Sequence, residues 1–371
     1  MSIWKGIRFF LGKFPSFSVL GYKARQSGWS PLRPDFSGQT WLVTGGSDGI
    51  GATIAEIAAM RGARVVVVAR SREPMEAMKK RVEARLARRA RHHEPAPTCG
   101  MIIPVTSDLS DLASISALVT QLSKKVRLDV LVNNVGILND EHKISKQGFE
   151  LSYSVNIVGH YFLTQSLVEA GIFNRAPLIM TMSSGGLYNQ PLNLGLLNQK
   201  AEKFDGLMAY ASHKRAQIAL IDHWRRHYRD QEIFAYTMHP GWVRTKGVQS
   251  SLPLFDKVLK RFLRTPAQGA DTAIWLAQRR PPTRENIIWF DRKQRSPYMF
   301  RDTRKPRTTT SALLRYLNHD VERGLADIRD AQSQPSDQEQ SADNASAAPK
   351  TAERQTNQSA NTPKQPIRAK G

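Results

Sequence analysis

The 371-residue chain holds a single cysteine, Cys99, so no disulfide can close within it. Such thiol poverty fits a reducing, cytoplasmic compartment. No apolar run approaches the ~18–20 residues needed to cross a bilayer. No signal-peptide core with a small-residue cleavage site is present either. Acids are scarce in three places. Residues 1–34 carry six Lys/Arg and no acid, residues 75–93 seven against two, and residues 279–307 ten against three. Much of the net charge of +22 gathers there. Such runs are either ordinary solvated faces or sites for an anionic partner. No nucleic-acid motif accompanies them, so an anionic membrane surface is the better match and nucleic acid is not expected. Aromatic residues are missing beyond residue 326, where the chain runs "DAQSQPSDQEQSADNASAAPK" and onward with almost nothing apolar but alanine. That composition cannot offset its ordering entropy, so 327–371 is expected to be a disordered tail.

What is present is enough for a full core, with 40% hydrophobic and 23% charged residues. Short apolar runs read as strands at 40–46, 64–69, 100–106, 128–134, 177–184, 232–241 and 286–291. Between them lie helical stretches, among them "IGATIAEIAAMRGA", the basic 75–91, 151–170 and 207–228. Strands separated by helices imply a parallel sheet with right-handed crossovers. The expected fold is α/β, a Rossmann-type doubly wound sheet in a single domain over 37–300. An amphipathic extension over 1–36 precedes it, and a C-terminal extension over 301–326 leads to the tail. Ligands in such sheets bind beyond the carboxyl ends of the strands, and the motifs below sit at those ends.

"TGGSDGIG" (44–51) follows a strand and opens a helix. Its glycines allow a tight turn and close approach to a diphosphate, and the helix supplies free N–H groups. The spacing Gly45-x-x-x-Gly49-x-Gly51 resembles that of the short-chain dehydrogenase/reductase family. Other motifs resemble the family in its own order: "DL" at Asp108–Leu109, "NNVG" at 133–136, Asn156 in "SVNIVGHYFLT", Ser184 in "MSSGG", Tyr210 and Lys214 in "YASHK", and "HPGWVRT" at 239–245. The resemblance spans about residues 37–292. A narrower likeness, carried by "GYKA", "FDGLMAYASHKR" and "WFDRKQR", is to the family's orphan member-twelve-like subgroup, near its retinol-dehydrogenase-like branch. The 26 residues from Ser184 to Tyr210 hold an insertion like that branch's, expected to wall the substrate pocket.

The resemblance implies an oxidoreductase interconverting a carbonyl and an alcohol, with Asn156, Ser184, Tyr210 and Lys214 catalytic. Tyr210 would exchange a proton with the substrate oxygen. Lys214, one turn along the same helix face, would lower the phenol's pKa and bond the nicotinamide ribose. Ser184 would orient the substrate and Asn156 would hold a relay water. Expected cofactor contacts are Gly45, Ser47, Gly49, Ile50, Gly51, Asp108, Leu109, Asn134, Gly136, Pro240, Gly241, Val243 and Thr245, with Tyr210 and Lys214. The second strand ends in Ala69-Arg70 where an acid would hold an unphosphorylated ribose, and a guanidinium suits a 2′-phosphate. Arg70, helped by Arg72, therefore points to NADP(H). Asp48 is an awkward acid in that loop.

In "LPLFDKVLKRFLRTP" (252–266), Leu254, Phe255, Val258, Leu259, Phe262 and Leu263 fall on one helical face, with cations elsewhere. The segment reads as a substrate lid or as a basic amphipathic helix on anionic lipid. Ile3, Trp4, Ile7, Phe10, Leu11 and Phe14 make a similar N-terminal stripe. It is compatible with packing on the domain, with peripheral membrane association, or with a mitochondrial presequence. A small hydrophobic substrate, lipid-, steroid- or retinoid-like, fits a lid of this kind. The family's habit of pairing helices makes a homodimer the default. The competing functional class is a non-catalytic NADP(H)-binding sensor or membrane-associated scaffold.

Overall fold

A computed structural model of the chain describes residue 12, residues 14–92 and residues 100–333. Most of the N-terminal stripe (Ile3 to Leu11), Cys99 and residues 334–371 lie outside the described residues.

Eight strands form one sheet: β1 Thr40–Thr44, β2 Arg64–Ala69, β3 Met101–Thr106, β4 Leu128–Asn133, β5 Phe173–Met182, β6 Phe234–Met238, β7 Ile288–Phe290 and β8 Lys293–Arg295. The order is β3-β2-β1-β4-β5-β6-β7-β8, parallel throughout except for the antiparallel β7–β8 pair. The strand order reverses between β1 and β4, the switch point where α/β sheets bind ligands. All five residues of β1 and five of the six in β2 are buried. Helices on both faces explain why those strands read as continuous apolar runs.

The helices are α1 Val19–Gln26, α2 Gly49–Met60, α3 Arg72–Arg91, α4 Leu112–Ser123, α5 (Leu151–Tyr153, a π turn Ser154–Gly159 and His160–Glu169), α6 Gly206–His227, α7 Lys246–Ser251, α8 Pro253–Leu259, α9 Pro266–Arg279 and α10 Thr310–Ser333. Alternate strand residues face opposite layers. Leu42, Val66 and Leu131 pack with α4, α5, α6 and α10. Val43, Val67 and Val132 pack with α2, α3 and α9.

Two expectations need correction here. α10 continues to Ser333, so residues 327–333, read as the start of a disordered tail, are helical. An apolar stripe explains the helix: Leu313, Leu317 and Val321 enter the core one turn apart, and Tyr153 of α5 donates to Asp320 at 2.8 Å. The single lid helix over 252–266 is also broken. α8 stops at Leu259, and the apolar face divides. Leu259 and Leu263 are buried, whereas Leu254 is 73% exposed and Val258 67%.

The break serves a buried ion pair. Just past it, Arg264 turns wholly inward and meets both carboxylate oxygens of Asp291, at 2.7 and 2.9 Å. Its guanidinium also donates to the carbonyls of Ser16, Phe17, Ser18 and Pro240. Arg25 of α1 closes on the same carboxylate from the other side. The segment around α1 is thereby fastened to the loop after β6 and to the end of β7. Removing one partner of a buried pair strands the other charge. Asp291→Ala is expected to lower stability by about 3–5 kcal/mol, read as a reduced urea midpoint with an unchanged slope.

Candidate active site

The registers Thr44–Val68, Asn133–Thr181 and Met182–Met238 set the carboxyl ends of the central strands level, and the loops beyond them meet at one rim. After β1 the chain turns at Gly45 with φ +61°, where a Cβ would stand 2.8 Å from Val135 Cα. At Gly51 a Cβ would stand 2.3 Å from Asn134 Nδ2. Only glycine lets the β1 and β4 loops approach this closely. Asn134 braces the turn, its Nδ2 donating to the carbonyls of Thr44 (2.9 Å) and Gly45 (3.2 Å). Thr44 Oγ1 accepts in return from the Asn134 and Val135 amides.

Asp48 does not crowd the loop. It caps α2 by accepting from Gly49 N at 2.8 Å and lies 3.4 Å from Lys246 Nζ. Lys246 was missed in the sequence because it arrives from the start of α7, about two hundred residues on. Ser47 and Ile50 sit half-buried on the loop. Ile50 shares a contact at Gly269 with Val243 from the loop after β6. Thr245 caps α7 and lies against Gly49, with Cγ2 3.1 Å from where a Cβ would stand. Pro240 and Gly241 are buried at the start of the same loop.

At the end of β2, Arg70 is exposed and has no acid partner among the described residues. Arg72, expected to help it, is drawn instead to Glu76 one turn along α3, at 2.8 Å. Asp108 accepts from both the amide and the hydroxyl of Ser110, and Leu109 is buried beside it.

Tyr210 and Lys214 lie on α6, which Asp205 caps by accepting from Met208 N. Lys214 Nζ is 5.4 Å from the Tyr210 ring centroid and donates to the carbonyl of Met182 at 2.9 Å. Ser184 lies two residues beyond β5, with its hydroxyl near enough to the Tyr210 phenol to favour the phenolate. Asn156 stands in the π turn of α5. Its side chain grips Ile137 by both backbone groups, accepting from N at 2.9 Å and donating to O at 2.8 Å. The Asn156 carbonyl accepts from Gln217 at 2.9 Å. A π turn widens the helix and frees such a group. A Cβ at Gly136 would stand 3.2 Å from Lys214 Nζ and 3.4 Å from Asn156 Oδ1, so bare backbone faces both.

The insertion after Ser184 folds as 3₁₀ turns at Gly185–Asn189, Leu194–Leu196 and Ala201–Lys203. His213, which sequence reading passed over, ties it down, with Nε2 2.8 Å from the Leu197 carbonyl. That bond makes Nε2 the protonated nitrogen and leaves Nδ1 to accept from Asn156 Nδ2 at 3.3 Å. Burial pushes His213 down to about 4 and His160 down to about 3, so both stay neutral.

Burial also pushes Lys214 down to about 7 and raises the Tyr210 phenol, with the Ser184 hydroxyl partly offsetting the latter. Both shifts come from desolvation: among the described residues no carboxylate touches the ammonium, and the phenol is itself screened from water.

The residues present fit a nicotinamide dinucleotide. The glycine turn at the amino end of α2 suits a diphosphate. The bare Gly136 beside the Lys214 ammonium leaves room for a ribose. Fold and site together define a doubly wound dinucleotide-binding α/β protein. Residues 39–253 match the short chain dehydrogenase family, and the chain belongs to that family of oxidoreductases. It is 32% identical over 279 residues to human dehydrogenase/reductase SDR family member 12, covering 75% of this chain and 84% of that protein. It is 33% identical over 252 residues to human retinol dehydrogenase 14, covering 65% and 74%. Among solved structures, the fold resembles an uncharacterized protein from Mycobacterium paratuberculosis (TM-score 0.60, 21% identity, covering 78% of this chain and 95% of that one). It also resembles an angucycline C-6 ketoreductase with bound NADP (TM-score 0.53, 22% identity, covering 66% and 90%).

A lysine with a folded pKa near 7 and an unfolded value of 10.5 binds fewer protons folded than unfolded between those limits. Its contribution to stability therefore rises with pH across that window. Urea midpoints at pH 7 and pH 9.5 should show the free wild-type chain gaining on its Lys214→Met variant as pH rises. A constant difference would place the Lys214 pKa outside the window.

Proposed function

We propose that the chain is an NADP(H)-dependent oxidoreductase of a hydrophobic carbonyl or alcohol, lipid-, steroid- or retinoid-like, with Tyr210 as its acid and base. The carrying observation is that Lys214 and Asn156 meet at the bare backbone of Gly136, with Lys214 Nζ 5.4 Å from the Tyr210 ring centroid and Ser184 beside the phenol. A bound nicotinamide supplies or accepts the hydride. Tyr210 gives its proton to the developing alkoxide and removes it in the reverse direction. Ser184, beside the phenol, holds the substrate oxygen at the same point. Lys214 donates to a ribose hydroxyl and, with a phenolate beside it, is drawn back to its charged form. Asn156 keeps the Ile137 backbone in place and positions water toward Lys214.

Arg70 supports the phosphorylated cofactor. It is exposed, unpaired among the described residues and at the strand end where a ribose 2′-phosphate lies. The similarity to retinol dehydrogenase 14 supports a small hydrophobic substrate. NADPH consumption over a panel of aldehydes, ketones, retinoids and steroids tests the reading. Tyr210→Phe should lower turnover by about 10²–10⁴-fold with NADPH affinity retained. Arg70→Ala should weaken NADPH by at least ~10-fold and leave NADH unchanged. NADPH binding without turnover on any substrate would favour a sensor instead.

The exposed side of α8 supports peripheral docking on an anionic bilayer. Leu254, Val258, Phe262 and Leu20 are 73%, 67%, 37% and 52% exposed, and the Val19 amide donates to the Phe262 carbonyl at 2.8 Å, which brings α1 to the same patch. Lys257, Lys260 and Arg261 are exposed around it, and Asp256 is engaged by Arg244. Apolar side chains ringed by lysine and arginine suit a lipid interface. The protein should float with phosphatidylserine-containing vesicles, less so at high salt, and not with neutral ones. Leu254→Asp with Val258→Asp should abolish this. No flotation of the wild type would rule the docking out.

A further inference from the structure

The residues on either side of Lys214 both grip the insertion that follows Ser184. Arg215 donates from Nε to the Gln190 carbonyl and from Nη2 to that of Leu187, each at 2.8 Å. His213, wholly buried, holds a later part through the Leu197 carbonyl at 2.8 Å. Leu197 is fully buried too. The two anchors differ in where else they reach. Arg215 also donates to the Pro297 carbonyl. His213 instead meets the side chain of Asn156 on α5.

A neutral imidazole has one donor and one acceptor. Burial keeps His213 neutral by lowering its pKa to about 4. A carbonyl can only accept, so the Leu197 bond assigns the proton to Nε2. Nδ1 is left with a lone pair, and the group it faces, Asn156 Nδ2 at 3.3 Å, is a donor. The Asn156 amide group is thereby committed on both sides. One hydrogen goes to His213 Nδ1 and the other to the Ile137 carbonyl at 2.8 Å, while Oδ1 accepts from the Ile137 amide at 2.9 Å. Oδ1 is also the atom nearest the Lys214 side of Gly136, where a Cβ would stand 3.4 Å from it and 3.2 Å from Nζ.

The proton on His213 therefore depends on the insertion. Without the Leu197 carbonyl, the imidazole is free to carry its proton on Nδ1. Two donors would then face each other at Asn156, and a buried donor without an acceptor is costly. The His213 ring packs against Tyr153, with centroids 6.0 Å apart, and the Tyr153 hydroxyl donates to Asp320 of α10.

We infer that His213 is a positioning residue: it carries the placement of the substrate wall at Leu197 to the Asn156 side chain, and with the Ile137 backbone keeps Oδ1 turned to Lys214. Seating of the wall thus locks the imidazole, Asn156 and Ile137 together beside Gly136. The inference rests on the proposed function only where it concerns turnover. The link from Leu197 to Ile137 belongs to the free chain.

Three variants of the full chain separate the two nitrogens. His213→Gln retains a donor for Leu197 and removes the acceptor for Asn156. His213→Asn retains an acceptor near Nδ1 and is too short to reach Leu197. His213→Phe keeps a ring against Tyr153 and removes both bonds. Hydrogen exchange resolved to single amides reads two reporters, the Ile137 amide held by Asn156 and the Leu197 amide held by the Leu194 carbonyl. Amides of β1 give the reference for global opening. Exchange at Ile137 should rise at least ~10-fold in His213→Gln and stay near wild type in His213→Asn. Leu197 should show the reverse, and His213→Phe should free both. Ile137 unchanged in both His213→Gln and His213→Phe overturns the inference. Equal rises at both reporters in all three variants, in step with β1, overturn it as well, because the residue would then only fill space. On a panel substrate that the wild type turns over, His213→Gln should lower kcat with KM retained, and His213→Asn should raise KM with kcat retained. A wild type that turns over nothing counts against the proposed function alone, and the exchange comparison still decides the role of His213.

Discussion

The bond from Lys214 Nζ to the carbonyl of Met182 decides where the chemistry can happen. It spans from α6 to the last residue of β5. A reciprocal bond, from Ser183 Oγ to the Lys214 carbonyl at 3.1 Å, stitches the same two elements a second time. With helix and strand end locked together, Tyr210 and Ser184 cannot drift apart, since each lies within one turn or two residues of the seam. The neighbouring layer is fixed to the same seam. Gln217, less than one turn beyond Lys214, holds the carbonyl that the π turn frees at Asn156, and Asn156 holds Ile137. The ends of β4 and β5 are thus both tied to the Lys214 segment of α6. Burial lowers the pKa of the Lys214 amine to about 7.

Much of this was legible in the residues, for a physical reason. In a doubly wound sheet the site is built from strand ends, and strand ends are local events: an apolar run, then a glycine, asparagine or serine. β2 therefore appears over 64–69 as read, and Tyr210 and Lys214 share one face of α6, as their i, i+4 spacing implied. What escaped reading was set at long range. Arg264 looked like one more cation on a lid. It is buried because Asp291, 27 residues on, and backbone carbonyls near α1 together replace its water. That bend ended the helix whose apolar face had seemed continuous. α4, α9 and α10 were not read as helices. The stripe of α10 became visible only once α5 was in place to receive Leu313, Leu317 and Asp320.

The charge excess divides along similar lines. On α3, Arg72 pairs with Glu76, and Arg81 and Arg85 with Glu56, at the surface, where pairing contributes little. In the third basic run Arg292 is drawn to Asp271 and stacks on Trp29, 4.3 Å from the ring centroid. A count of lysines and arginines therefore overstates what is available to a partner. Arg70, Lys257, Lys260 and Arg261 are exposed and have no acid partner among the described residues.

The Pro240–Gly241 turn shows how one motif can carry two demands. Gly241 has φ +82°, and a Cβ there would stand 2.4 Å from the Arg264 guanidinium. Any other residue would meet both the strained backbone and the buried cation. The same loop takes a bond from the Trp242 amide to the Phe17 carbonyl at 3.0 Å, and its later residues Val243 and Thr245 lie over the glycine turn. Residues 14–26 are therefore structurally continuous with the cofactor side of the molecule. Loosening Arg264 from Asp291 would act on the α1 strap and on the loop above the glycine turn together, because one guanidinium holds both.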